Sequence, residues 1–222
     1  MPNRIINDSK SSNYIIGSQV YILGGFSSSE MNEVIGNLGN YILSLPIQPT
    51  YKLSAKITSP YDIKEINNPI IDIFIDSLGG AESALQNIST LLNIAKSRGA
   101  IIRTTVLSRA FSAGSLLAIQ GTPGFRIMAH DARHLIHFGS TSMTVTNPDD
   151  LEIRAEQIRD QKKIILEKYK AHTKIPEKKL EKMLRCESGY LTASECLTHG
   201  LCDWILGENG IITNIKNKQK TK

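Results

Sequence analysis

The residues with the clearest chemical potential lie in the segment SRAFSAGSLLAIQG, Ser108 to Gly121. Ser112 stands there among small residues, between a β-branched run and an apolar segment with helical character. The pattern predicts a strand that turns sharply into a helix, with Ser112 at the turn. Amides and the dipole at a helix N-terminus stabilise negative charge, so Ser112 is either an ordinary helix cap or a nucleophile. Because position 110 is Ala, the turn is not the G-x-S-x-G elbow.

A glycine pair, Gly79 and Gly80, follows the β-rich run Ile70–Asp76. Glycines allow a backbone to approach a ligand closely, and their amides can stabilise an oxyanion. In a parallel sheet, ligand-binding and catalytic residues lie at the carboxyl ends of the strands. The two strand ends therefore predict one cleft that contains Ser112 and the glycine pair.

Five histidines could supply a general base for a serine nucleophile. His137 ends the apolar strand RHLIHF, which suits a side chain that projects into a cleft, whereas His134 would face the opposite side of that strand. His130 lies in a turn. His172 and His199 end predicted helices, where a cationic imidazole would complement the dipole.

The elements that must position these residues alternate between strand and helix patterns. Apolar and β-branched runs predict strands at 19–25, 70–77, 101–108, 125–130, 133–139 and 201–206, with helices between them. This order predicts crossover units and an α/β fold with a mostly parallel sheet. An amphipathic segment at 149–172 predicts a long helix begun at Asp149 or Asp150. A short helix is predicted between the cap Thr192 and Gly200.

We expect one domain at 19–207, between a flexible polar arm at 1–18 and a basic tail at 208–222. The stretch 46–69 contains four prolines and no clean periodicity, which predicts a loop or insertion. Four of the five net positive charges come from lysines of the tail, so the body is close to neutral and we predict no nucleic-acid partner.

Polarity and cysteine content indicate where the protein works. Mean hydropathy is −0.16, no apolar run is long enough for a membrane helix, and the first residues lack a signal-peptide pattern. Cys186, Cys196 and Cys202 have no metal-binding spacing and are predicted to be reduced thiols. We therefore expect a cytoplasmic, intracellular protein without a membrane partner, with a plastid or the cytoplasm of a phage-infected host as alternatives.

Five segments together resemble the proteolytic subunit of the Clp protease family, a self-compartmentalised serine peptidase. DSLGG is similar to the family's N-S-P-G-G, AFSAG to its A-x-S-x-G, and RHLIH to its R-x-x-I-H. The segment 151–173 resembles its handle helix, and YLTASECLTHGLCDWIL its F-L-[ST]-A-x-E-A…G-L-[IV]-D motif. The resemblance runs from about Gln19 to Leu206, apart from the insertion.

The resemblance implies a fold and a site. The fold is the ClpP/crotonase-like spiral of β-β-α units with a protruding handle helix. Ser112 is then the nucleophile and His137 the base, while amides at Gly79, Gly80 and Ala113 bind the oxyanion, without a metal or cofactor.

The resemblance also implies partners. They are polypeptide substrates, a homo- or hetero-oligomeric ring (a heptamer or double ring) and a separate ATP-driven AAA+ unfoldase. A separate unfoldase is required because this chain contains no phosphate-binding G-x-x-x-x-G-K-[ST] loop.

The acid of the triad departs from the family pattern. Counted back from Tyr190, the family's Asp position holds Ser188, whereas counted forward from HTK it holds Glu187. We predict that Glu187 orients His137. A dyad, or Asp149 or Asp150 as the acid, are the alternatives.

Three other functions stay open at this point. The composition and the insertion favour a divergent, viral or phage branch of the family. One alternative is therefore a phage capsid-maturation protease of the same fold. A catalytically silent ring subunit with an assembly or regulatory role is another. A crotonase-type acyl-CoA enzyme shares the oxyanion amides but does not need the serine–histidine pair.

Overall fold

The computed structural model describes residues 12–49, 59–61, 66–139, 147–185, 189–210 and 212–213. The strands are β1 (Asn13–Ile16), β2 (Gln19–Ile22), β3 (Gly25–Phe26), β4 (Ile70–Ser77), β5 (Gly79–Gly80), β6 (Ile101–Phe111), β7 (Arg126–Ala129), β8 (Arg133–Leu135), β9 (Tyr190–Thr192), β10 (Trp204–Leu206) and β11 (Ile212–Thr213). The helices are α1 (Ser28–Ser44), α2 (Glu82–Ser97), α3 (Ala113–Ala118), α4 (Pro148–His172), α5 (Glu177–Arg185) and α6 (Ala193–His199).

The main sheet has the order β1-β2-β4-β6-β7-β10-β11, and β8 and β9 extend it from the end of β6. Pairings along its centre are parallel, whereas β1–β2, β8–β9 and β10–β11 are antiparallel. The predicted α/β fold with a mostly parallel sheet is confirmed. Part of the predicted arm, Asn13–Ile16, forms edge strand β1, and β11 was not predicted.

Strand β6 connects the two parts of the sheet. Its first half pairs with β7, through Thr104 and Val106, while its end pairs with β8, from Arg109 to Phe111. Between these halves its register with β4 shifts, so that Ile75 lies opposite Val106 but Ser77 lies opposite Ala110. The extra residues of β6 are a bulge, and bulges bend a strand. This bend places β8 beside the segment that leads into α3.

The core forms where apolar faces of the helices cover the sheet. On β4 the alternate residues Ile71, Ile73 and Ile75 are buried, which follows from the two-residue period of a strand. On α2 the buried apolar residues recur at helical spacing: Ala84, Leu85, Ile88, Leu92 and Ala95. The neighbouring Leu91 is only partly buried.

The long helix α4 covers the predicted segment 149–172, but its cap is Asn147, whose Oδ1 accepts a hydrogen bond from the Asp149 amide at 3.0 Å. No residue between 149 and 164 is buried, so this part of α4 is largely exposed. Its last turns are fixed, because Ile165 and Tyr169 are buried and Arg126 donates to the His172 carbonyl at 2.8 Å.

Candidate active site

Ser112 lies where β6 turns into α3, with backbone angles of φ 54° and ψ −118°. Among the residues that the structure describes, it is the one non-glycine residue with positive φ. Such a conformation costs on the order of 1–3 kcal/mol and persists only where the surroundings enforce it. The Ser112 amide donates to the Leu135 carbonyl at 2.9 Å, and its carbonyl accepts from the Leu116 amide at 3.1 Å. The side chain remains partly exposed.

Gly79 packs directly against this turn. A Cβ at position 79 would lie 2.6 Å from the Ser112 Cβ, 2.8 Å from the Phe111 carbonyl oxygen and 3.1 Å from the Ala113 nitrogen. Gly79 also has a φ of +96°, which side chains rarely adopt. The structure therefore brings the predicted glycine strand end to the predicted serine, and only glycine fits between them.

Ser77 fixes the position of the glycine pair. Its hydroxyl donates to the Gly24 carbonyl at 2.5 Å and accepts a hydrogen bond from the Gly79 amide at 3.1 Å. Strand β5 is further held by parallel pairing with β3, in which Gly80 lies opposite Phe26. The Gly79 amide is thus directed at Ser77. This role of Ser77 was not predicted, although its position directly before Leu-Gly-Gly indicates it.

His137 lies two residues beyond β8, which is shorter than the predicted strand. Its neighbours are held by the backbone, because the Ile136 amide donates to the Gly189 carbonyl at 2.9 Å and the Phe138 amide to the Leu184 carbonyl at 3.0 Å. The His137 side chain is partly exposed. Since β8 runs parallel to the end of β6, Ser112 and His137 leave adjacent strands at the same edge of the sheet.

Glu187, predicted as the orienting acid, and Ser188 lie outside the described residues. Leu184 and Gly189, which lie on opposite sides of this gap, accept hydrogen bonds from the amides of Phe138 and Ile136, the neighbours of His137. The alternatives Asp149 and Asp150 are exposed in the first turn of α4, a position that suits carboxylates beside a helix N-terminus.

The other histidines have structural environments. His134 lies in the middle of β8 and is fully buried. His172 and His199 lie in the last turns of α4 and α6, as predicted. Burial lowers the pKa of both rings. His172 Nδ1 donates to the Lys168 carbonyl at 2.9 Å, and His199 Nε2 accepts from Lys179 Nζ at 2.9 Å.

The two described cysteines, Cys196 and Cys202, are free and buried, while Cys186 lies outside the described residues. Burial raises the pKa of both thiols, for Cys202 to about 12, so neither is a reactive thiolate. Within the described ranges, no group of three His, Cys, Asp or Glu side chains could hold a metal ion, and no helix is long and apolar enough to cross a membrane.

Comparison with known proteins agrees with this geometry. A family model described as Clp protease matches residues 38–209, a range that includes Ser112, His137 and the glycine pair. The chain belongs to the Clp protease family. The predicted family and its fold are confirmed.

Individual relatives carry the same description. The chain is 31% identical over 136 residues to ATP-dependent Clp protease proteolytic subunit 2 of Streptomyces coelicolor, which covers 61% of each chain. It is 32% identical over 139 residues to proteolytic subunit 1 of Corynebacterium efficiens, covering 61% of this chain and 63% of the relative. It is 28% identical over 138 residues to the proteolytic subunit of Deinococcus radiodurans, covering 62% of this chain and 65% of the relative. The matched part is therefore less than two thirds of each relative's length.

Proposed function

We propose that this chain is a serine endopeptidase subunit of the Clp type, with Ser112 as nucleophile and His137 as general base. The observation that carries the proposal is the strained Ser112 turn, held against Gly79 at the edge where the His137 segment also leaves the sheet. An ordinary cap does not need positive φ. Strain of this kind gathers at catalytic residues, where it presents a side chain in one fixed direction.

The chemistry follows from these groups. Ser112 Oγ attacks the carbonyl carbon of a peptide bond while His137 accepts the hydroxyl proton. The C–N bond then breaks, His137 returns the proton to the leaving amine, and the acyl group stays on Ser112. Water, deprotonated by the same imidazole, then attacks the ester; the bond between the acyl carbon and Ser112 Oγ breaks, His137 returns its proton to Oγ, and the acid is released. Glu187 is the proposed group that orients the imidazole and stabilises its charged form.

Two amides are proposed as donors to the oxyanion. The Ala113 amide is the first of α3, and the first amides of a helix lack intrahelical partners. The Gly80 amide follows the fixed Gly79 turn. Gly79 is not proposed as a donor, since its amide donates to Ser77. It contributes because its lack of a side chain allows the Ser112 turn to pack against it.

The substrates and partners are proposed from the family and from the names of the relatives, which are called proteolytic subunits of an ATP-dependent protease. We propose that unfolded polypeptides are the substrates, that the chain assembles into a ring, and that a separate AAA+ unfoldase supplies folded substrates. An intracellular location is proposed because the buried thiols Cys196 and Cys202 are unpaired.

Labelling with a fluorophosphonate probe tests the proposal. We expect the wild type to react and Ser112→Ala to lose the label. Ser108→Ala, which changes an exposed serine of the same strand, is the matched control and should label normally. A wild type that stays unlabelled beside an active serine peptidase would support the silent-subunit alternative instead.

A further inference from the structure

A second serine–histidine pair lies buried behind the proposed catalytic pair. Ser115 Oγ is 3.0 Å from His134 Nδ1, and the Tyr169 hydroxyl donates to the same Ser115 oxygen at 3.0 Å. All three residues have no exposed surface. The hydrogen bonds therefore join three elements, α3, the β8 strand and the base of α4, without contact with solvent.

The proton positions in this cluster follow from its donors. Because the Ser115 oxygen accepts from Tyr169, its own proton is free to be donated to His134 Nδ1. The imidazole is then the tautomer with hydrogen on Nε2. Burial, and secondarily the charge of Arg126, lower the pKa of His134 to about 3, so the ring is neutral.

If the Ser115–His134 pair had only a structural role, it would lower the stability of the fold more than apolar packing would. His134 Nε2 is buried and has no hydrogen-bond partner in the described part of the chain. An unsatisfied buried polar group lowers stability, and an apolar side chain of similar size would avoid this cost. The pair is therefore poorly explained by packing alone.

The position of the pair suggests what it does. Ser115 lies on α3 three residues after Ser112, and His134 lies three residues before His137. The Ser115–His134 hydrogen bond thus spans the same two elements as the proposed catalytic contact. It limits how far α3 can move from the β8 strand.

We propose that Ser115 and His134 are positioning residues that align Ser112 with His137, and that Tyr169 couples this alignment to the base of α4. The proposal rests on the proposed peptidase function. A displacement of about 1 Å at a reacting centre can cost about a hundredfold in rate, so loss of this hydrogen bond should act on kcat. It should act little on KM, because none of the three side chains is accessible to substrate.

The test uses the full chain in its assembled form and a short fluorogenic peptide. Ser115→Ala and His134→Leu should lower kcat by about tenfold or more, with KM changed by less than about twofold. His134→Asn is the conservative variant, since its amide oxygen can accept at the position of Nδ1, and it should restore most of kcat. The fluorophosphonate labelling rate should fall in parallel with kcat.

Thr104→Val is the matched control. Thr104 is also buried, and its hydroxyl donates to the Ala118 carbonyl at 2.8 Å, so it joins β6 to the opposite end of α3. Removal of this bond should lower the melting temperature about as much as Ser115→Ala while kcat stays near wild type. The positioning role is disproved if Ser115→Ala has the same kcat as Thr104→Val. It is also disproved if His134→Leu has the same kcat as His134→Asn.

Two further outcomes are distinguishable. A wild type that is not labelled contradicts the proposed peptidase function itself. If Ser115→Ala does not assemble, the Tyr169→Phe variant tests the proposal instead, because it removes one hydroxyl and leaves the aromatic ring packed. A lower kcat at unchanged KM supports the coupling, and an unchanged kcat overturns it.

Discussion

The proposed catalytic residues Ser112 and His137 and the buried, hydrogen-bonded pair Ser115 and His134 lie on the same two segments, yet their environments differ. Ser112 and His137 are partly exposed, and Ser112 has strained backbone angles beside a fixed glycine. Ser115 and His134 have no exposed surface, and Ser115 lies within a regular helix. Residue type alone therefore does not make a nucleophile. Access to substrate, a fixed backbone and nearby amides separate a reactive hydroxyl from a structural one.

The largest effect should separate the two serines. Ser112→Ala should lower peptidase activity by a factor on the order of a thousand or more, since loss of the nucleophile removes the acyl-enzyme route. Ser115→Ala should lower it by about tenfold. Steady-state kinetics on one peptide measures both. If both variants lost the same fraction of peptidase activity, Ser112 and Ser115 would not have the different roles proposed for them.

Gly79→Ala tests the contact that belongs only to the exposed pair. The new Cβ would collide with Ser112 and the Phe111 carbonyl, so we expect the labelling rate to fall by about a hundredfold. Gly36→Ala is the control, because a Cβ there meets nothing within 4 Å and alanine favours the α1 helix. A Gly79→Ala variant with normal labelling would show that the close approach is not required.

The buried His134 should make the free energy of unfolding depend on pH. The pKa of His134 is about 3 in the folded protein and about 6.5 when unfolded, so only the unfolded chain gains a proton as the pH falls between these values. The free energy of unfolding should then decrease by up to about 1.4 kcal/mol per pH unit across that window.

His134→Asn lacks this contribution, because its side chain does not titrate. Chemical denaturation at a series of pH values should show the wild-type curve falling toward the variant's as the pH drops below about 6.5. His172, whose pKa is also lowered, is present in both proteins and cancels. If the free energies of unfolding of the wild type and of His134→Asn changed in parallel with pH, His134 would titrate normally in the folded state.

The smallest effect concerns the connection to α4. Tyr169→Phe removes one buried hydroxyl but keeps the ring, and should cost about 0.5–1.5 kcal/mol of stability. Combined with Ser115→Ala, its cost should be less than additive, since both act on the same hydrogen bond. Thermal and denaturant unfolding of the two single variants and the double variant measure this. Full additivity would mean that the two groups do not interact.

Local patterns predicted much of the fold correctly. The apolar period of β4 and α2, the cap Thr192 and the stop at Gly200 are all observed, because each depends on neighbours within a few residues. Positions set by distant contacts were less predictable. An example is the bulge in β6. Strand β1 and the cap at Asn147 were also not predicted, although both form with residues nearby in the chain.

Residue types and spacings are enough to identify the candidate chemistry: a serine in a small-residue turn, a glycine pair and a histidine after an apolar strand. Which hydroxyl is strained against a glycine, and which is buried against an imidazole, becomes known only once the chain is folded. Exposure, backbone strain and hydrogen-bond partners of Ser112 and Ser115 come from Gly79, His134 and Tyr169, which lie on other elements and reach these serines only when the sheet and helices pack.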